Sequence, residues 1–260
     1  MGTINIAGGE SLLILEHRRT ERELKSQQYY RGWDYAHRGD YHQRLDPHWA
    51  YTPTYLRKMK YVRCYLDGLN NNVRILDVGC GEGVLVEEYR SKGFKIEGLD
   101  LNYSSPCVRR GSVLEMSFYE EERFTAVLML DVFEHLQFAD QPKALKEIKR
   151  VLKPGGTLLM AVPNLAHLNS RFRLLLRGLL DRTDAETNHI GERPMKENVK
   201  LLRQAGFEII RKKGVTLSVP VVYQRIICRW PAEFRWLHDA LEPFAFASLA
   251  MLDIFTCKKV

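Results

Sequence analysis

A loop of alternating glycines, followed by an acid, is the clearest chemical signal in the chain. Gly79, Gly81 and Gly83 follow an apolar run that contains Asp77, and Asp100 comes 17 residues after the last glycine. Glycine accepts positive φ and has no Cβ, so its backbone can approach a ligand that larger side chains would exclude. A tight turn of this kind between a strand and a helix is typical of nucleoside sites. The pattern predicts a site for an adenosine-containing cofactor.

The spacing of these glycines separates two classes of nucleotide-binding turn. The dinucleotide fingerprint G-x-G-x-x-G requires glycine at position 84, where the chain has Val84. The observed spacing is G-x-G-x-G. A dinucleotide-binding dehydrogenase is therefore disfavoured, and a structural turn without a ligand is the remaining alternative.

Apolar runs and helical repeats alternate along the chain and place the loop in an α/β fold. Strands are predicted at residues 76–78, 94–100, 124–130, 157–162, 207–211 and 249–257, and helices at 84–92, 140–152 and 194–205. Strands that alternate with helices form a parallel sheet with helices on both faces. Ligands lie beyond the carboxyl ends of such strands, where Asp77, Asp100 and Asp131 fall.

Composition limits the architecture and the cellular setting. The chain has 260 residues and a net charge of +7, and its basic residues are spread along the sequence and mixed with acids. One α/β domain is expected, and the dispersed charge favours solvated helix faces over a nucleic-acid partner. Five scattered cysteines form no C-x-x-C pair, and no leader or bilayer-spanning segment is evident. We expect a soluble, cytoplasmic protein, and the sequence indicates no oligomeric state.

Four ordered motifs resemble those of the class I S-adenosylmethionine-dependent methyltransferases, in the small-molecule branch that includes the ubiquinone-biosynthesis O-methyltransferases. The motifs are residues 76–83, 98–100, 131–136 and 152–158, within a match from about residue 73 to residue 214. The resemblance implies a doubly wound, mostly parallel sheet of seven strands. It also implies S-adenosylmethionine as methyl donor, S-adenosylhomocysteine as product and a small-molecule methyl acceptor.

The resemblance also assigns the residues of the cofactor site. They are Asp77, Gly79, Cys80, Gly81, Gly83, Asp100, Leu101, Ser112, Val113 and Asp131. Asp100 would accept hydrogen bonds from both ribose hydroxyls, as a carboxylate can. Ser112 stands where the family usually has an acid that meets the adenine amino group, and the connection from Asp100 to Gly111 is short for the family's usual helix. We expect adenine binding to depart from the family pattern.

Methyl transfer to a hydroxyl needs a base, because the hydroxyl proton must leave as the methyl group arrives. Histidine has the pKa for this task near neutrality. The resemblance places His135 near the cofactor, and His167 and His189 around the acceptor segment. We expect O-methylation of a small or amphiphilic metabolite. The alternatives are N- or C-methylation, a nucleic-acid-binding methyltransferase-like module, and a cofactor-binding protein without catalysis.

A divalent ion is the alternative to a metal-free site. Asp131, Glu134 and His135 are spaced i, i+3, i+4, which would bring three ligands to one face of a helical turn. Some members of the resembling group hold an ion on such a segment, and many carry Glu-His without one. We predict a site without metal.

Three segments lie outside the shared core. An aromatic-rich segment, residues 1–60, is predicted to be a helical lid ahead of a methyltransferase domain at 61–260. Acceptor-binding insertions are predicted at 163–193 and 215–248. In the first insertion, leucines recur at helical spacing with arginines between them. We expect this apolar face to pack in the core, with a peripheral membrane surface or an amphiphilic acceptor pocket as alternatives.

Overall fold

Seven β-strands form the centre of the molecule. The computed structural model describes residues 51–180 and 189–260. The strands are β1 Arg74–Val78, β2 Lys95–Asp100, β3 Val108–Arg110, β4 Phe124–Leu130, β5 Leu152–Pro163, β6 Phe207–Val215 and β7 Leu252–Lys259. They pair in the order β3-β2-β1-β4-β5-β7-β6, in parallel except where β7 pairs with β5 and β6. The predicted doubly wound, mostly parallel seven-stranded sheet is confirmed.

Helices cover both faces of this sheet. They are α1 Thr52–Asp67, α2 Val84–Ser91, α3 Gln141–Val151, α4 Leu168–Arg177, α5 Met195–Gln204 and α6 Arg235–Leu241. Short 3-10 turns lie at Phe133–His135 and Glu242–Phe244, and a π-helical turn lies at Tyr223–Ile227. Successive side chains of β1 point to opposite faces. Leu76 and Val78 join the hydrophobic cluster that holds α3 and α5, whereas Ile75 joins the cluster that holds α1 and α2.

The predicted segments differ from the observed ones mainly at their ends. The last predicted strand, 249–257, is observed as Leu252–Lys259. The Pro-Gly-Gly sequence after α3 belongs to β5, which starts directly after the helix at Leu152. The pairing register shifts between Phe124 and Ala126 of β4, and Gly155 has a φ of 71°. The turn residues are therefore absorbed as an irregularity within the strand.

The predicted boundary between lid and domain falls inside α1, which runs from Thr52 to Asp67. This helix packs against the sheet through Tyr55, Met59 and Val62. It therefore belongs to the core of the domain. Residues 1–50, which carry most of the aromatic segment, lie outside the described residues, and the lid stays a prediction.

Helix α4 departs most from expectation. The buried residues of the helix are Asn169 and Ser170, whereas Phe172, Leu175 and Leu176 are exposed. The predicted core packing of this helix is therefore wrong. A helical repeat fixes which residues share a face, but it does not fix the direction in which that face points. Among the described residues, no helix combines the length and the apolar character that crossing a bilayer requires.

Candidate active site

The glycine loop joins β1 to α2 at the carboxyl end of the sheet. Gly79, Gly81 and Gly83 have positive φ values of 70°, 58° and 89°. A Cβ at Gly79 would collide with the side chain of Val132, so only glycine fits there. The loop is held to the end of β2 by a 2.7 Å hydrogen bond from Gly79 N to Leu99 O. The loop thus presents bare backbone at a fixed position, as a nucleoside site requires.

Asp100 ends β2 beside this loop, and backbone amides hold its carboxylate. Oδ2 accepts a 2.9 Å hydrogen bond from Gly81 N. Oδ1 accepts bonds of 2.8 Å from Asn102 N and 3.2 Å from Tyr103 N. Burial raises the pKa of Asp100, and these amides oppose the rise. A carboxylate offers about four acceptor positions, so capacity remains for a ligand hydroxyl.

Asp77 lies buried on the same edge of the sheet. Burial raises the pKa of Asp77 to about 7, and the nearby Asp100 adds to the rise while Lys58 opposes it. The charged form of Asp77 is therefore costly in the protein alone. A cationic group of a ligand would favour that charged form. Asp77 can thus contribute to binding an ammonium group.

Lys58 of α1 is a candidate site residue that sequence reasoning missed. Its side chain is 1% exposed, and its Nζ forms an ion pair with Asp131 Oδ2. Tyr51 donates its hydroxyl to the same oxygen at 3.1 Å. The one signal in the sequence is a lysine three residues after Tyr55, on the face of α1 that is buried. Burying an ammonium group is costly without an anionic partner, and Asp131 provides that partner for Lys58 at this edge of the sheet.

His135 and His189 meet beside a buried carboxyl group. Their ring centroids lie 4.9 Å apart, with the ring planes at 79°. One ligand atom each from Glu134, His135 and His189 lies within 4.8 Å of the other two. Glu134 is fully buried, and neither of its carboxyl oxygens has a hydrogen-bond partner among the described residues. Burial, followed by the charge of Asp131, raises the pKa of Glu134 well above its ordinary value.

Backbone and side-chain hydrogen bonds fix the loop of His189 onto the turn of His135. Gly191 N donates to Glu134 O at 2.8 Å. Gln141 Nε2 donates to Gly191 O at 2.7 Å and to Phe133 O at 3.0 Å. These bonds join two segments that are far apart in sequence.

The sequence spacing suggests Asp131, Glu134 and His135 as the possible metal ligands, whereas the structure brings together Glu134, His135 and His189. The 3-10 turn starts at Phe133, so Asp131 lies outside it, with a φ of 54° and its carboxylate on Lys58. His189 takes the third position. One carboxylate and two imidazoles are ligands that Zn²⁺ and related divalent ions accept. These residues fit such an ion, and the metal-free site stays a prediction.

His167 has a different setting from the other two histidines. It is buried, and its Nδ1 lies 2.7 Å from Ser218 Oγ. As the N-cap of α4, the same nitrogen accepts a 3.4 Å bond from Ser170 N. His167 therefore anchors a helix, and the two candidate bases that come together are His135 and His189.

The adenine side of the predicted site lies after β2. Within the described residues, turns and a bridge between Ser105 and Val108 connect β2 to β3 without a helix, as the short sequence predicts. Ser112 Oγ accepts a 3.1 Å bond from Leu114 N, while Val113 is buried and Leu101 is exposed. Burial raises the pKa of the Cys80 thiol, which stays neutral in the glycine loop.

Comparison with known proteins identifies the family. A family model described as a methyltransferase domain matches residues 19–212, well over half of the chain. A ubiquinone biosynthesis O-methyltransferase from Alkalilimnicola ehrlichii is 33% identical over 121 residues, which cover 41% of this chain and 48% of the relative. One from Ruegeria pomeroyi is 29% identical over 193 residues, which cover 66% and 74%. The chain thus spans about half the length of the first of these relatives.

A solved structure has the same fold. The 1,6-didemethyltoxoflavin-N1-methyltransferase of Burkholderia thailandensis, with bound S-adenosylhomocysteine, matches with a TM-score of 0.51 and 17% identity. The match covers 100% of this chain and 93% of that one. At this identity the likeness concerns the fold alone. The family match and this shared fold together show that the chain belongs to the S-adenosylmethionine-dependent methyltransferases of the methyltransferase-domain family.

Proposed function

We propose that the protein methylates an oxygen atom of a small or amphiphilic metabolite, with S-adenosylmethionine as the donor. One observation carries the proposal: His135 and His189 meet beside Glu134, close to the glycine loop. Val132, three residues before His135, connects the cluster to the loop, because its side chain lies against Gly79. The names of the O-methyltransferase relatives support the same type of acceptor.

The residues at the carboxyl edge of the sheet fit the parts of the donor. Asp77 would bind its ammonium group, Lys58 its carboxylate and Asp100 its ribose, since each pairing joins opposite charges or a donor with an acceptor. When bound, S-adenosylmethionine supplies a methyl group on a sulfonium that is already activated for displacement. The protein then has to orient the acceptor and exclude water.

The histidine pair would manage the proton of the acceptor. A neutral imidazole of His135 or His189 would accept the hydroxyl proton as the methyl group passes from the donor sulfur to that oxygen, and S-adenosylhomocysteine would leave as a neutral thioether. The carboxyl group of Glu134 lies beside the rings, and a positive charge on an imidazole would favour the charged form of that carboxyl. The proton passes to solvent after the product leaves, which restores the neutral ring.

The same three side chains fit a divalent ion, which would lower the pKa of a bound acceptor hydroxyl. Treatment with a chelator separates the two forms of the proposal. With a histidine base, activity survives removal of metal. With a metal-assisted acceptor, activity is lost and returns when the ion is added back.

The test is product analysis followed by kinetics. Incubated with a mixed pool of phenols and amines, the protein should place the methyl group on oxygen, as mass spectrometry of the products would reveal. His135→Ala and His189→Ala should each lower kcat by about 100-fold or more, because each variant lacks one ring of the pair that handles the proton. The matched control is Gln137→Ala, an exposed position two residues from His135. Exclusive methylation of nitrogen or carbon, or an unchanged kcat in both histidine variants, would overturn the proposal.

A further inference from the structure

Helix α4 presents leucines to solvent and buries polar side chains. Leu175 is 82% exposed and Leu176 is 64% exposed, on the face that they share with Phe172. Asn169 and Ser170 are buried. Both buried residues lie in the first turn, and from Phe172 onward the apolar side chains of the helix are exposed. An exposed apolar face of this kind marks an interaction surface.

The helix is well formed at both ends. His167 caps its N-terminus. Gly178, with a φ of 66°, ends it, and its N–H donates to Leu174 O at 2.9 Å. The leucine face is therefore part of a regular, terminated helix.

The C-terminal insertion extends the exposed apolar surface. Arg171 Nη2 donates to Ser248 O at 2.6 Å, and Leu168 N donates to Leu249 O at 2.9 Å. Two residues before Ser248, the ring of Phe246 is 62% exposed. The first turn of α4 is thus held against a segment that exposes an aromatic ring.

Basic side chains border the leucine face. At 100° per residue, Arg171 and Arg173 flank this face on opposite sides, and Arg177 lies nearer the opposite side of the helix. The sequence of α4 contains no acid. Leucines between arginines are typical of helices that lie in the interface of a membrane, where arginine reaches the headgroups.

We propose that α4 and the adjacent Phe246 dock the protein on an anionic lipid bilayer. A second copy of the chain fits this face less well, because a twofold interface would set arginines against arginines. Residues 1–50 contain seven acidic and seven basic residues, so they offer no complementary net charge. A bilayer with anionic headgroups satisfies both the leucines and the arginines.

Docking in this way would bring the acceptor side of the active site towards the lipid. The segment before α4 pairs with the loop that carries His189, through a bridge between Asn164 and Arg193 and a 3.1 Å bond from Leu165 N to Arg193 O. An amphiphilic acceptor could then enter from the bilayer. The surface itself binds lipid whether or not the proposed methyl transfer is correct.

Vesicle flotation tests the proposal with the whole 260-residue chain. The protein should float with vesicles of phosphatidylcholine and phosphatidylglycerol in equal parts and remain in solution with phosphatidylcholine alone. The double variant Leu175→Ser/Leu176→Ser should lose at least about tenfold in vesicle affinity, because two apolar side chains no longer enter the interface. Arg173→Gln/Arg177→Gln should weaken binding to the anionic vesicles and reduce its dependence on salt.

Ile210→Ser is the matched control, since it removes an apolar side chain that is 57% exposed on β6, outside the proposed surface. It should bind vesicles as the unaltered protein does. Failure of the unaltered protein to float, or equal binding to both vesicle types, would overturn the proposal. A third result would also overturn it: analytical ultracentrifugation shows that the unaltered protein is a dimer, the Leu175→Ser/Leu176→Ser variant is a monomer, and neither protein binds vesicles.

Discussion

The proposed cofactor side and the proposed acceptor side of the candidate active site are built in different ways. On the cofactor side, one loop and one strand end suffice, because Gly81 N and two following amides hold the carboxylate of Asp100. On the acceptor side, His135 and His189 are 54 residues apart in sequence. They meet because Gln141 and Gly191 tie the later loop to the 3-10 turn. Main-chain bonds within a loop leave a readable motif, whereas contacts between distant side chains do not.

The two sides also differ in the charged and titratable groups that they contain. On the cofactor side, the acids Asp77 and Asp100 lie near one buried cation, Lys58, whose partner is Asp131. On the acceptor side, the buried carboxyl of Glu134 faces two imidazoles. The cofactor side therefore combines a buried ion pair with two buried acids, and the proposed acceptor side combines a buried carboxyl group with two imidazoles.

Removing Lys58 should disturb the cofactor side most, because the charge of Asp131 then has no compensating cation. We expect Lys58→Met to lower the free energy of unfolding by about 3 to 5 kcal/mol, measured by urea denaturation. Lys60→Met, at an exposed position of the same helix, should change it by less than about 0.5 kcal/mol. Adding Asp131→Asn to Lys58→Met should recover part of the loss. A double variant no more stable than Lys58→Met would contradict the ion pair.

Asp77 gives the cofactor side a pH dependence. Its pKa of about 7 in the folded protein lies above the value near 4 of an unfolded aspartate, so the folded state holds the proton more tightly. Between about pH 4 and pH 7, Asp77 ionises in the unfolded state but keeps its proton in the folded state, so the free energy of unfolding falls as pH rises. Without cofactor, Asp77→Asn should be more stable than the unaltered protein by about 2 to 3 kcal/mol at pH 8 and nearly equal at pH 4.

Urea denaturation at the two pH values measures this difference. The other buried acids are present in both proteins, so the comparison isolates Asp77. A stability difference that is the same at both pH values would mean that Asp77 does not titrate in this range.

Sequence reasoning reached the fold and the conformation of the glycine loop because both depend on local patterns. Alternating apolar runs predict the strands, and Gly79 and Gly83 adopt the positive φ that only glycine takes easily. Lys58 was missed because a lysine in an apolar repeat is usually solvated, and its anionic partner lies 73 residues away. The outward leucines of α4 were missed because periodicity does not specify direction.

Binding of S-adenosylhomocysteine, measured by calorimetry on Asp100→Asn and His135→Ala, tests the division of the site most directly. Asp100→Asn should weaken binding by about tenfold or more, because it removes the charge that strengthens the hydrogen bonds to the ribose. His135→Ala should stay within about twofold of the unaltered protein, since His135 is assigned to the acceptor. Circular dichroism would establish that both variants are folded. Unchanged affinity in Asp100→Asn, or an equal loss in both variants, would contradict separate cofactor and acceptor sides.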